Sequence, residues 1–143
     1  MKISDAQNVY STFFHDFNQE KFDGFIDFMK LENDMMVKSL SKGMKEKLAL
    51  SLTLSRDAKL FILDEPLNGV DPIAREEILG AVIKGFDIEG AMLVTSHLVE
   101  EIERVLDNVY FIKEGNIVLS GNCEDLRNKN NMTLDGLYRE VLA

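Results

Sequence analysis

The sequence predicts an α/β fold: an N-terminal helical subdomain, then a mainly parallel sheet with flanking helices and a closing β-hairpin. Three observations carry that prediction. Apolar residues recur at helical spacing through residues 1–57. Two short apolar runs, Leu60–Asp64 and Ala91–His97, stand on either side of a helical stretch, the order that yields parallel strands. The segment NVYFIKEGNIVL sets apolar residues on both sides of Glu114-Gly115, a hairpin signal. By role the chain divides into a helical part, 1–57, and a sheet-bearing part, 58–143.

The first helix is expected where Ser4 and Gln7 can form a capping box, with Ala6, Val9, Tyr10, Phe13, Phe14 and Phe17 at helical spacing. A second runs from about Gln19 to Leu31 and aligns Phe22, Phe25, Ile26 and Met29, the pattern of ordinary core packing. Leu48, Leu50, Leu52 and Leu54 alternate with the period of a strand. The stretch Met44 to Arg56 nevertheless lacks Gly and Pro, and Ser41 can cap its start, so a helix buried on several faces is expected. Asp71-Pro72 offers an N-cap and a proline at the first helical position, with Glu76 and Glu77 in the early turns. A helix from about Leu98 to Leu106 follows the second strand. The tail, TLDGLYREVLA, is a short docking helix carrying Leu134, Leu137, Tyr138 and Val141 on one face.

Composition narrows the function. The chain has 143 residues, 45% apolar and 29% charged, enough for one domain with a real core. A net charge of −9 argues against a nucleic-acid partner, whose footprint is a basic patch. A single cysteine, Cys123, precludes an intrachain disulfide and fits a reducing compartment. No apolar run approaches the ~20 residues that span a bilayer, and MKISDAQNVY has no signal-peptide core, so contact with a membrane is expected only through a partner.

The chemistry concentrates in LFILDEPLNGVDP, where Asp64 and Glu65 end an apolar strand. Buried and unpaired, such carboxylates cost several kcal/mol, so a metal, a phosphate-bound cation or a distant basic group must hold them. Lys59 does not: five strand residues away, it lies ~17 Å off. Ser41 opens LSKGM at a helix N-terminus, where backbone N–H groups and the helix dipole favour an anion. His97 ends the next expected strand, and side chains at the carboxyl ends of neighbouring parallel strands converge on one crevice. Metal ligand, base, anion cradle and hydrogen-bonding sensor are the parts of phosphoryl transfer to water.

In this order and at these spacings, LSKGMKEKL, LFILDEP, NGVDP and TSH resemble the back half of an ATP-binding cassette transporter ATPase, a P-loop NTPase-like fold. Each motif alone is weak; together they are specific. LSKGM is similar to the family's signature, usually LSGGQ, and LFILDEP to its Walker B strand with the catalytic glutamate. Asp71 matches the D-loop and His97 the switch histidine. The resemblance implies that Asp64 holds Mg²⁺ through water and that Glu65 is the general base. It implies that His97 contacts the γ-phosphate, and that Ser41, Lys42, Gly43 and Met44 with Asp71 serve the nucleotide of a partner subunit. ATP and Mg²⁺ are the implied cofactors. A second nucleotide-binding domain in a head-to-tail dimer and a transmembrane permease are the implied partners, at the cytoplasmic face of the membrane.

The chain departs from the family pattern in three places. Lys42 and Met44 replace the usual Gly and Gln of the signature, a mark of the export-type bacterial branch, and Lys42 adds a cation for the phosphate. The D-loop reads NGVD where SALD or SGLD is commoner. No G-x-x-x-x-G-K-[ST] is present: Gly80 and Gly85 have the glycine spacing but continue Phe86-Asp87. The expected function is therefore the C-terminal portion of a transporter's nucleotide-binding subunit, inactive alone and prone to self-association. The alternative is a non-hydrolysing module lending its signature helix to another P-loop ATPase. The transported substrate is not encoded here.

Overall fold

The computed structural model describes residues 1–85 and 90–143. Phe86 and Asp87, which stand where a P-loop lysine and hydroxyl would follow the Gly80–Gly85 spacing, lie outside the described residues. The chain forms two compact units, Met1–Thr95 and Ser96–Ala143. This boundary differs from the division by role at residue 57, because the N-terminal helices pack onto the helix Pro72–Gly85 of the sheet-bearing part.

The first unit contains α1 (Ile3–Phe13), α2 (Gln19–Phe28), a 3₁₀ turn (Val37–Ser39), α3 (Lys42–Leu54), β1 (Leu60–Asp64), α4 (Pro72–Gly85) and β2 (Ala91–Thr95). Helix α1 begins two residues earlier than its sequence cap suggested, with Lys2 rather than Ser4 at the N-cap. The Lys2 N–H donates to Asp5 Oδ2 at 2.6 Å, and the expected Gln7 cap instead bonds Gln19. Its buried face is Ile3 and Ala6, while Phe13 is 75% exposed because the helix ends there. Asn18 caps α2 by accepting from Lys21 N at 3.0 Å. Beneath it Phe22 and Met29 are fully buried, each such side chain contributing about 1.5–3 kcal/mol of hydrophobic stabilisation.

Helix α3 resolves the strand-like alternation of its leucines. Leu48, Leu50, Leu52 and Leu54 are all buried, which a helix achieves by packing two faces, on α2 and on α4. Two serines of this stretch turn inward: Ser51 Oγ donates to Lys47 O at 2.8 Å and Ser55 Oγ to Ser51 O. An ion pair crosses three helices, with Glu77 of α4 meeting Lys47 of α3 closely and Lys30, just past α2, at 2.9 Å.

β1 and β2 pair in parallel, with Ile62 opposite Leu93 and Asp64 opposite Thr95. Phe61 and Leu63 face the core, but Leu60, Ile62 and Leu93 are more than half exposed. The face that carries Leu60, Ile62 and Asp64 is exposed, which corrects the expectation of a buried strand.

The second unit begins with α5 (Val99–Ile102) and a 3₁₀ turn (Glu103–Val105), followed by β3 (Asn108–Lys113), β4 (Asn116–Asn122), α6 (Cys123–Asn130) and α7 (Leu134–Leu142). β3 and β4 form the expected antiparallel hairpin, turning through Glu114 (φ 49°) and Gly115 (φ 79°), the two left-handed positions of a type I′ turn. Val99, Phe111, Cys123, Leu126, Leu134 and Leu137 make its core.

Candidate functional site

Two sets of candidate residues lie in the first unit. At the end of β1, Asp64 is exposed rather than buried, so it needs no charged partner of the kind a buried carboxylate demands. Thr95, directly opposite on β2, donates its hydroxyl to Asp64 Oδ1. The Glu65 N–H donates to both Thr95 O (3.0 Å) and Thr95 Oγ1 (3.1 Å). Glu65 itself has φ 48°, a left-handed conformation that costs a non-glycine residue about 1–3 kcal/mol. The strand stops at Asp64, the chain turns sharply at Glu65, and Asn68 N closes the turn by donating to Glu65 O at 3.1 Å. Half-buried Glu65 is therefore set off from the strand direction by a strained bend. Sequence reasoning did not single out Thr95, although its place at the end of the paired strand was the available signal.

The second set is the start of α3. Ser41 is the N-cap and its Oγ accepts from Met44 N at 3.2 Å, which leaves the hydroxyl proton to donate to an anion. The Lys45 N–H goes to Ser41 O at 2.9 Å, so the turn's remaining amides, at Lys42 and Gly43, point out of the helix start. Gly43 is buried against the loop after β1. A Cβ built on it would stand 3.2 Å from Ala74 Cβ and 3.3 Å from Asp71 Oδ2, tighter than ordinary packing. Two sequence-predicted residues, Gly43 and Asp71, thus meet.

Asp71 acts here as the N-cap of α4, its Oδ1 accepting from Ile73 N and Ala74 N at 3.1 Å each. Arg75 Nε closes the same loop on Val70 O at 2.8 Å. Lys42 adjoins the same loop. Its side chain lies across Gly69 of this loop, with Cε 3.2 Å from where a Gly69 Cβ would be. Gly69 has φ 67°, so both its backbone and its lack of a side chain are in use.

His97 lies in the second unit, two residues past the end of β2, and is exposed. Among the described residues, no three His, Cys, Asp or Glu side chains cluster as a metal site. The donor set at Asp64, one exposed carboxylate with a fixed rotamer, fits a magnesium held mainly by phosphate oxygens and water rather than by an all-protein cage.

Comparison with known proteins gives the family and the fold. The ABC transporter family model matches residues 6–68. The lantibiotic transport ATP-binding protein SrtF of Streptococcus pyogenes is 42% identical over 99 residues, covering 64% of this chain and 43% of that protein. The Nod factor export ATP-binding protein I of Burkholderia orbicola is 39% identical over 102 residues, covering 67% of this chain and 32% of that protein. The chain therefore spans less than half the length of these curated relatives. Among solved structures, an ATP-binding subunit of an ABC transporter superposes with a TM-score of 0.81 at 21% identity, covering 99% of this chain and 62% of that one. That likeness shows the fold. With its motifs in order and these relatives, the chain belongs to the ATP-binding proteins of the ABC transporter family.

Proposed function

We propose that this chain forms the part of an ABC transporter's nucleotide-binding subunit that carries the catalytic carboxylates and offers a signature helix to a second subunit. The observation that carries the reading is the strained turn at Glu65, φ 48°, which sets two adjacent acids at the carboxyl end of β1. Magnesium bound with ATP supplies charge neutralisation at the phosphoryl oxygens. Asp64 holds that ion through water, Glu65 accepts the proton of the attacking water, and His97 donates to the γ-phosphate. The Ser41 hydroxyl and the Gly43 N–H donate to the γ-phosphate of ATP held by the partner subunit, in a head-to-tail dimer with two nucleotides between the copies.

The coupled partner is a transmembrane permease, and the subunit works at the cytoplasmic face of the membrane. Among the described residues, no helix is long and apolar enough to cross a bilayer. On the helical part, Phe13 (75% exposed) and Val9 (48%) stand four residues apart on α1, an i,i+4 apolar pair suited to a permease's cytoplasmic helix. Other residues of that region are taken up inside the unit: Phe14 lies under the Arg56 guanidinium at 4.0 Å, and Phe17 packs on Phe22.

The chain alone is expected to release phosphate from ATP no faster than its Glu65→Gln variant, because its sequence contains no P-loop motif to position the phosphates. In the complete subunit, Glu65→Gln slows hydrolysis and traps an ATP-bound dimer in sedimentation, and adding Ser41→Arg disperses that dimer while each monomer still binds ATP. Glu65-dependent turnover by the chain alone refutes the dependence on a P-loop. A double variant that dimerises as tightly as Glu65→Gln refutes the role of Ser41.

A further inference from the structure

We infer that Thr95 is a positioning residue for the reaction, holding both acids of the site from the neighbouring strand. The inference rests on the reading of Asp64 and Glu65 above and extends it to a residue of the neighbouring strand. Parallel register places Thr95 opposite Asp64, at the last paired position of the sheet. One hydroxyl there has two tasks. It donates to Asp64 Oδ1, which holds the carboxylate in one rotamer and leaves Oδ2 as the oxygen presented to a ligand. It also accepts from the Glu65 N–H at 3.1 Å, while the Thr95 carbonyl accepts from the same N–H at 3.0 Å.

The second task matters because Glu65 is held at φ 48°, a conformation that relaxes unless its surroundings fix it. A side chain with two acceptor lone pairs and one proton meets both demands, and only serine or threonine offers that at the end of a strand. Threonine adds a branched Cβ that suits a β position. The substitution Thr95→Val keeps the shape and the main-chain acceptor but loses both hydroxyl bonds, so its effect isolates the hydroxyl. Thr95 is exposed, so the apolar replacement leaves no buried polar group without a partner.

The test compares Thr95→Val and Thr95→Ser. In the 143-residue chain, amide exchange at Glu65 and the side-chain couplings of Asp64 are followed by NMR. Thr95→Val is expected to speed Glu65 exchange at least about 10-fold and to average the Asp64 couplings over rotamers, while Thr95→Ser stays within about threefold of the parent, as outer-shell support of a site predicts. In the complete subunit, Thr95→Val is expected to lower kcat by about 10–100-fold with unchanged ATP affinity, and Thr95→Ser to restore it. Parent-like exchange and couplings in Thr95→Val overturn the inference, as does a kcat that valine leaves intact. Asp64→Asn separates the two levels. If it leaves the Mg²⁺ dependence of hydrolysis unmoved, the reading of Asp64 fails. If it abolishes that dependence while Thr95→Val changes nothing, the inference about Thr95 alone fails.

Discussion

At the residue scale, the positions that give this chain its character are ones where the backbone is bent against preference. Glu65 (φ 48°) and Gly69 (φ 67°) lie four residues apart and re-aim the chain after β1. Gly69 was legible, since Asn-Gly is a turn signal. Glu65 was not, because no sequence rule places a glutamate in the left-handed region; its chemistry was readable from Asp-Glu-Pro, its strain only from the fold. The Lys42 contact with Gly69 was hidden for another reason. The motif places the lysine beside a phosphate, but the loop packed against α3 offers a nearer surface. This pair allows two effects to be weighed. Gly69→Ala meets a left-handed backbone, costing about 1–2 kcal/mol, and a crowding Lys42 whose flexible end can swing away at little cost. The backbone effect should win: Gly69→Ala lowers stability by about 1 kcal/mol after the unfolded-state entropy gain, and adding Lys42→Ala returns only a few tenths. Urea unfolding of the two single variants and the double variant checks this, and recovery of most of the loss in the double variant would show that crowding dominates.

At the scale of elements, some helix starts were readable and others were not. Ser41, Asp71 and Thr133 each cap the helix that follows, as short polar side chains before apolar periodicity announce. The helix expected over about Leu98 to Leu106 runs as α5 and tightens into the 3₁₀ turn Glu103–Val105, where Glu103 accepts from Leu134 N (2.9 Å) and Asp135 N (3.3 Å) at the start of α7. α6 escaped prediction for want of an apolar stripe, yet Asn122 with Glu124 and Asp125 after it was a usable cap signal. The link between helices was equally invisible from sequence: Glu77 of α4 is held by Lys47 and Lys30. Burial pushes the Glu77 carboxyl up, but the two lysines outweigh it, and its pKa lies below the ordinary value. A depressed folded pKa means that the stabilisation is full above the ordinary carboxylate pKa and is lost as pH falls through the folded value. Glu77→Gln should therefore cost roughly 3 kcal/mol at neutral pH, since it leaves a nearly buried lysine without its counter-charge. The gap to the parent should shrink on acidification below the folded pKa. Denaturation midpoints of both proteins across the acid range decide it; curves that stay parallel mean that Glu77 does not link the helices through its charge.

At the scale of the whole molecule, the exposed apolar surface sets the expected behaviour in solution. In the first unit, Leu60, Ile62 and Leu93 form a row on the uncovered face of β1 and β2, each more than half exposed. In the second unit, Tyr110, Ile112 and Ile117 are each at least 60% exposed on the hairpin. Isolated exposed apolar residues are ordinary, but rows on sheet faces are sites of association. Among the described residues each sheet has two strands, which leaves its edges unpaired, a template for pairing with another chain. Opposing this is a net charge of −9, which repels copies of the chain at low ionic strength and is screened by salt within ~8 Å at physiological strength. The two effects give a signed prediction. The purified chain should elute from a sizing column as a dimer or larger species, and association should strengthen from low to moderate salt as repulsion is screened while apolar burial persists. Ile62→Lys with Leu93→Lys should shift it toward monomer without lowering its stability by more than about 1 kcal/mol, because both side chains face solvent in the single copy. A monomer at high micromolar concentration across that salt range would show that these faces do not drive association. Association that weakens with salt would assign it instead to charge pairs, leaving the row at Ile62 and Leu93 without a role in it.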